Sequence, residues 1–251
     1  MRLIGKLASV AGTLMLTACA TGTNPADPYE PFNRKVHNFN IAFDATMIKP
    51  PARLYAAVVP AFIRKGVNNA FNNFDMIPSV ANDLLQGEGR WAMRDTWRFA
   101  INSTLGVAGL FDVAQKFGLP PHYNDLGLTF AKWGDNNSPY IVIPFIGPST
   151  IRDGSGMLFQ FALWSPYVYI KNDALAFGLL GLRYLDLRSQ FFDSERVVDE
   201  ALDKYSFLRD AYLQHRTYLI AGTDENVGGN YVDDGEEPAN QPDTVSDYID
   251  E

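Results

Sequence analysis

The chain has one cysteine and three histidines in 251 residues. A single cysteine excludes an intramolecular disulfide and a cysteine-based metal cluster. His37, His122 and His215 are dispersed, and no His-Glu-x-x-His helix brings two of them together for a metal. A Gly-x-Ser-x-Gly nucleophile turn is also missing, because Asp153-Gly154-Ser155-Gly156-Met157 has the wrong spacing. Gly87-Glu88-Gly89-Arg90 lacks the third glycine and the preceding strand of a dinucleotide loop. Catalysis, a metal centre and a nucleotide cofactor are therefore not expected. The apolar runs are short as well. Leu7 to Leu16, Gly156 to Ile170 and Ala174 to Leu182 all fall below the roughly 20 residues that cross a bilayer as a helix.

The one cysteine is informative by its place. It ends Leu16-Thr17-Ala18-Cys19, after Arg2, Lys6 and the apolar stretch, which is the layout of a cleavable secretion signal over residues 1–18. The Leu-x-Ala-Cys ending resembles the bacterial lipobox, whose cysteine is lipidated and becomes the mature N-terminus. Cys19 is thus expected to carry a covalent lipid with no other cofactor. Several acyl chains, at about 0.8 kcal/mol per buried methylene, make a stable anchor where a single chain is reversible. Ala20 stands where an aspartate signals retention at the inner membrane, so the outer membrane is the expected address.

The net charge of −8 is misleading about the body. Ten acidic and no basic residues lie between Asp224 and Glu251, and the signal holds two basic ones, leaving 19 of each sign over residues 19–223. The tail, with Gly228, Gly229, Gly235, Pro238 and Pro242 and few large apolar groups, cannot bury enough surface to offset its ordering entropy, so disorder is expected over 221–251. Its acidic run does not follow the alternating ligand spacing of a calcium loop. Of the 33 aromatic residues, 31 lie between Tyr29 and Tyr218. A neutral, aromatic-rich body points to apolar or membrane contact and away from nucleic acid.

Residues 19–26 read as a short spacer. Asp27, Pro28 and Glu30 then signal a helix start, and Phe32, Val36, Phe39 and Phe43 recur on one face opposite Asn33, Arg34, His37 and Asn40. Pro50-Pro51 should end this helix. A helical pattern from Val58 to Gln86 is interrupted by Pro60 and Pro78 and closed by Gly87 and Gly89. The next helix carries Arg90, Arg94 and Arg98 four residues apart, a stripe that either meets lipid head groups or is a solvated face. Pro139 to Pro148 is β-prone and bracketed by prolines, which predicts an extended hairpin-like loop serving as a core plug or as an exposed apolar patch. The later apolar segments read as helices in one leaflet or in a core. A last helix is expected after Asp193 or Ser194, with a seam through Val198, Ala201, Tyr205, Leu208 and Tyr212. The fold class is mainly α.

Several ordered stretches resemble one family, the MlaA (VacJ) outer-membrane lipoproteins. They are Asp27 to Arg34 with Asn38-Phe39-Asn40, Asn82 to Gly87, Arg98 to Gly106, Gly109 to Ala114, Pro139 to Pro148 with Ile151-Arg152-Asp153, and Asp210 to Arg216. The resemblance implies a domain over 27–220 that forms a monotopic, ring-like bundle of amphipathic helices in one leaflet around a polar channel. It further implies association with a trimeric porin, transfer of mislocalised phospholipids to a soluble periplasmic carrier, and a periplasmic-side position on the outer membrane. Lipid passage needs polar groups for the head group and apolar groups for the tails, without a covalent step. On that basis Asn33, Asn38, Phe39, Asn40 and Asn102 are expected near the lipid path and Arg90, Arg94 and Arg98 near head groups. The same asparagines have an ordinary use in capping and packing helices. A porin scaffold and, with less support, a phospholipase remain the alternative functions.

Overall fold

The computed structural model describes residues 24, 25 and 27–221. Cys19, the signal, most of the spacer and the acidic tail beyond Ala221 lie outside the described residues.

Proline and aspartate positions set the helix boundaries, although not always as the sequence suggests. Helix α1 (Glu30–Phe43) starts after Tyr29 without a side-chain cap. The expected cap, Asp27, is wholly buried and accepts hydrogen bonds from Asn33 and Tyr205, so its carboxylate is not free for the first turn. Pro50 and Pro51 do not end the helix run. A π-helical turn (Asp44–Ile48) leads into α2 (Lys49–Val58), where the prolines occupy first-turn positions that have no N–H bond to lose. Pro60 precedes α3 (Ala61–Leu85), but Pro78 sits inside it without a break. Side-chain bonds on either side of Pro78 hold that helix: Asn73 Nδ2 donates to Ser103 at 2.8 Å and Ser79 Oγ accepts from the Asn124 N–H at 2.6 Å.

Gly87, at φ +75°, closes α3 in the left-handed region that glycine enters without strain. The chain then packs α4 (Gly89–Thr104) along α3. Two short helices follow, α5 (Val113–Lys116) and α6 (Leu126–Lys132), each capped by an aspartate side chain. Strands β1 (Tyr140–Ile143) and β2 (Gly147–Thr150) then pair antiparallel, with Tyr140 opposite Thr150 and Ile143 opposite Gly147. A two-stranded sheet is all edge, which is why Pro148 is tolerated in it. Helix α7 (Ile151–Trp164) packs on α6, and α8 (Asp173–Gln190) packs on α2. The single final helix expected from periodicity is two, α9 (Phe192–Asp199) and α10 (Lys204–Ala221). Asp203 accounts for the division: its carboxylate accepts the N–H groups of Tyr205 and Ser206, a local cap that begins a new helix. The predicted apolar seam therefore crosses a break.

The chain is mainly helical, and its burial is inverted. Among the described residues, 20 polar or charged side chains are buried against 11 hydrophobic ones. The small apolar core consists of Tyr140, Val142 and Tyr205, flanked by Val36, Tyr212 and Leu213. Large apolar side chains point outward instead, including Phe62 at 76% exposure and Phe177 at 60%. Helix α1 shows the rule in one element: Asn33 and His37 are buried while Phe39 is exposed. No helix among the described residues is long and apolar enough to cross a membrane.

Candidate functional site

Two asparagines on the inward face of α1 grip the β-hairpin. Asn33 Oδ1 accepts the Val142 N–H at 2.8 Å, and its Nδ2 donates to the Tyr140 carbonyl at 3.2 Å and to Asp27 at 2.8 Å. Two helical turns later Asn40 repeats the pattern, accepting the Phe145 N–H at 2.7 Å and donating to the Ile143 carbonyl at 3.0 Å. Each amide thus completes a backbone edge that a lone hairpin leaves unpaired. Between them His37 packs edge-on against Tyr205, ring centroids 5.5 Å apart, and burial lowers its pKa. Phe39 and Phe43, on the outer side, both pack edge-on against Phe145 at the hairpin tip. Asn38 is exposed.

Asn102 does the same for a loop. Its Oδ1 accepts the Ala114 N–H at 2.9 Å and its Nδ2 donates to Asp112 at 2.9 Å. Arg98, also buried, donates to the other Asp112 oxygen at 3.0 Å and to the Leu119 carbonyl. The loop so held has Val107, Ala108 and Gly109 at positive φ, and Gly109 lies so near Asn73 that a Cβ there would be 2.7 Å from the asparagine Cβ. The arginine stripe therefore divides. Arg98 is an internal ion pair, Arg94 lies over the Trp91 ring at 4.5 Å, and only Arg90 of the three is exposed.

The densest polar group lies where α10 meets α6 and α7. Arg216 reaches Asp125 with both terminal nitrogens, at 2.6 and 3.1 Å, and Asp153 at 2.8 Å. Tyr212 donates to the second Asp153 oxygen at 2.7 Å, and Arg152 Nε donates to the first at 2.8 Å. Burial pushes the Asp153 carboxyl up, but the Arg152 bond, the Arg216 charge and the Tyr212 bond outweigh it and hold the group below its ordinary value. Burial, with the charge and bond of Asp153, raises the Tyr212 pKa. The Asp125 and Asp153 interactions keep Arg216 charged despite its burial. Glycine makes the assembly fit: a Cβ on Gly127 would be 2.4 Å from Asp153 Oδ1, and one on Gly156 would be 2.6 Å from the Gly127 nitrogen.

This cluster forms one wall of a cavity of about 220 Å³, whose other wall is apolar, with Ile146, Pro148 and Met157. A larger cleft of about 570 Å³ opens between α3 and the pinned loop, lined by Phe62, Leu110 and Phe111 together with Lys65, Asn69 and Lys116. Both are amphipathic. Asn33, Asn38, Phe39, Asn40 and Asn102 line neither, and Asn33, Asn40 and Asn102 spend their amide groups on backbone and carboxylate partners. Sequence reasoning quoted Asp153 and the Asp210 to Arg216 stretch as motifs without assigning them a role. Long-range pairing of three segments leaves no spacing signal by which they are found.

The MlaA lipoprotein family model matches residues 25–219. The intermembrane phospholipid transport system lipoprotein MlaA of Escherichia coli (strain K12) is 30% identical over 221 residues, 84% of this chain and 86% of that protein. An uncharacterized protein of Rickettsia bellii is 35% identical over 191 residues, 76% of this chain and 75% of its own length. A solved structure from work on the structural basis for maintenance of bacterial outer membrane lipid asymmetry matches with a TM-score of 0.67 and 31% identity, covering 78% of this chain and 99% of that one.

Proposed function

This chain belongs to the MlaA lipoprotein family, and we propose that it is the outer-membrane lipoprotein of an intermembrane phospholipid transport system. In this reading it removes mislocalised phospholipids from the outer leaflet through an amphipathic passage, so maintaining lipid asymmetry, and hands them to a soluble periplasmic carrier. It sits as a ring-like body in the periplasmic leaflet, lipid-anchored through Cys19 and held beside a trimeric porin. No covalent chemistry is involved.

The observation that carries the reading is the inverted burial. Polar side chains fill the interior while large apolar ones face outward on helices too short or too polar to cross a bilayer. Such a surface is costly in water and favourable among acyl chains. A phospholipid moved between leaflets needs polar partners for its head group, since an unpartnered polar group loses hydration without replacement. Each amphipathic cleft sets a charged side next to an apolar one, the arrangement that a head group and its tails require.

The test is complementation. Deleting the gene should raise outer-leaflet phospholipid, measured by surface-accessible lipid labelling, and the wild-type gene should restore it. An unchanged outer leaflet in the deletion strain rules out transport and leaves the porin scaffold as the reading.

A further inference from the structure

Asp83 at the end of α3, Asp95 on α4 and His122 before α6 meet inside the protein, although the first and last lie 39 positions apart. His122 Nδ1 is 2.9 Å from Asp95 Oδ2 and 4.0 Å from Asp83 Oδ1. One donor atom from each residue lies within 4.8 Å of the other two. Both carboxylates are 0% exposed, and one oxygen of each, Asp83 Oδ2 and Asp95 Oδ1, has no hydrogen-bond partner among the described residues. That is an expensive arrangement as it stands. A protonated imidazole offsets only one of the two buried charges, and an unpaired buried carboxylate oxygen forfeits its hydration. Arg94 does not help, because its guanidinium lies over Trp91.

We propose that Asp83, Asp95 and His122 bind a divalent transition-metal ion, zinc by the donor set, which ties α3, α4 and the segment before α6 together. The His122 separations of 2.9 and 4.0 Å bracket the roughly 3.4 Å between donors of a tetrahedral ion with bonds of about 2.0–2.2 Å, so small side-chain rotations bring the three onto a common ion. The nitrogen donor and the small ligand count favour zinc over magnesium or calcium, which take more ligands and only oxygen. Neighbours orient the donors as outer partners do in metal sites. Trp91 stacks on the imidazole with ring centroids 4.2 Å apart, and Asn124 Nδ2 donates to Asp83 Oδ1 at 2.8 Å. A divalent ion offsets both carboxylates at once, with the imidazole neutral and its Nδ1 lone pair on the metal in place of the hydrogen bond to Asp95. Its role is structural, and it stands apart from both clefts.

The experiment uses the full chain, purified in detergent and stripped with a chelator. Titration with zinc chloride should show about one equivalent bound and a higher melting temperature, with no equivalent response to magnesium chloride. His122→Ala and Asp95→Asn should weaken zinc binding by at least about tenfold while keeping the helical circular dichroism. Should either variant fail to fold, cobalt added to the stripped wild type replaces them: visible d–d absorption that zinc abolishes supports the site. Substoichiometric zinc binding by the wild type, unaltered zinc affinity in folded variants, equal binding of magnesium, or no cobalt spectrum overturns it.

Discussion

Replacing Asn33 with alanine should loosen the hairpin from α1, and the structure sets the size of the effect. The substitution leaves the Val142 N–H and the Tyr140 carbonyl without their amide partner, at positions where both residues are 1% exposed and water cannot substitute. Each buried orphan costs about 1–3 kcal/mol, so about 3 kcal/mol is the expected total toward the low end of their sum. For a domain of this size that lowers the melting temperature by about 6–12 °C. Asn33→Asp should not rescue it, because it keeps an acceptor for Val142 but sets a second carboxylate against buried Asp27. Asn38→Ala, on the exposed side of the same helix, should stay within about 0.5 kcal/mol of wild type. Thermal melts of the three proteins in one detergent, followed by circular dichroism, make the comparison. If Asn33→Ala melts within about a degree of Asn38→Ala, the clamp contributes nothing and the reasoning fails.

Two glycine substitutions should act in opposite directions. Gly156→Ala sets a Cβ 2.6 Å from backbone at Gly127 and should cost about 1–3 kcal/mol, whereas Gly178→Ala meets nothing within 4 Å and should gain about 0.5–1 kcal/mol of helix propensity, both read as melting temperatures. Acidification should expose the Asp153 network, since a carboxyl held below its ordinary 3.8 when folded contributes stability that is complete above that value and disappears as pH falls through the folded pKa. The gap in melting temperature between wild type and Asp153→Asn should therefore be constant above about pH 5 and narrow on acidification below about pH 4. A gap that widens on acidification reverses the sign and refutes the assignment.

The helical class, the proline-bracketed hairpin and the two-faced character of α1 were legible in the sequence, because each rests on local spacing. Which face turns inward was not. A period of three and four residues divides Asn33 and His37 from Phe39 and Phe43 without saying whether solvent, lipid or protein meets either side. Boundaries failed where a long-range partner claimed a local signal. Asp27 reads as a cap until Tyr205, far along the chain, takes its carboxylate, and Asp203 starts a helix that an uninterrupted apolar seam conceals. Asn33, Asn40 and Asn102 stood out as residues, with a lipid path and helix packing both open to them; their amides bond to strand and loop backbone. The Asp125–Asp153–Arg216 and Asp83–Asp95–His122 groups each draw on three segments, so no motif of fixed spacing encodes them.

The asparagine clamps also bear on how this protein can vary. Asn33 and Asn40 hold the hairpin by its main chain alone, through N–H and carbonyl groups that every residue except proline possesses in full. The side chains at the clamped positions are therefore not what the latch recognises. At the tip, Phe145 packs against Phe39 and Phe43 and Ile146 lines the smaller cavity, so a substitution there alters those contacts while the backbone bonds that seat the hairpin stay available. Two fixed amides on the helix thus separate the seating of the loop from the identity of its side chains.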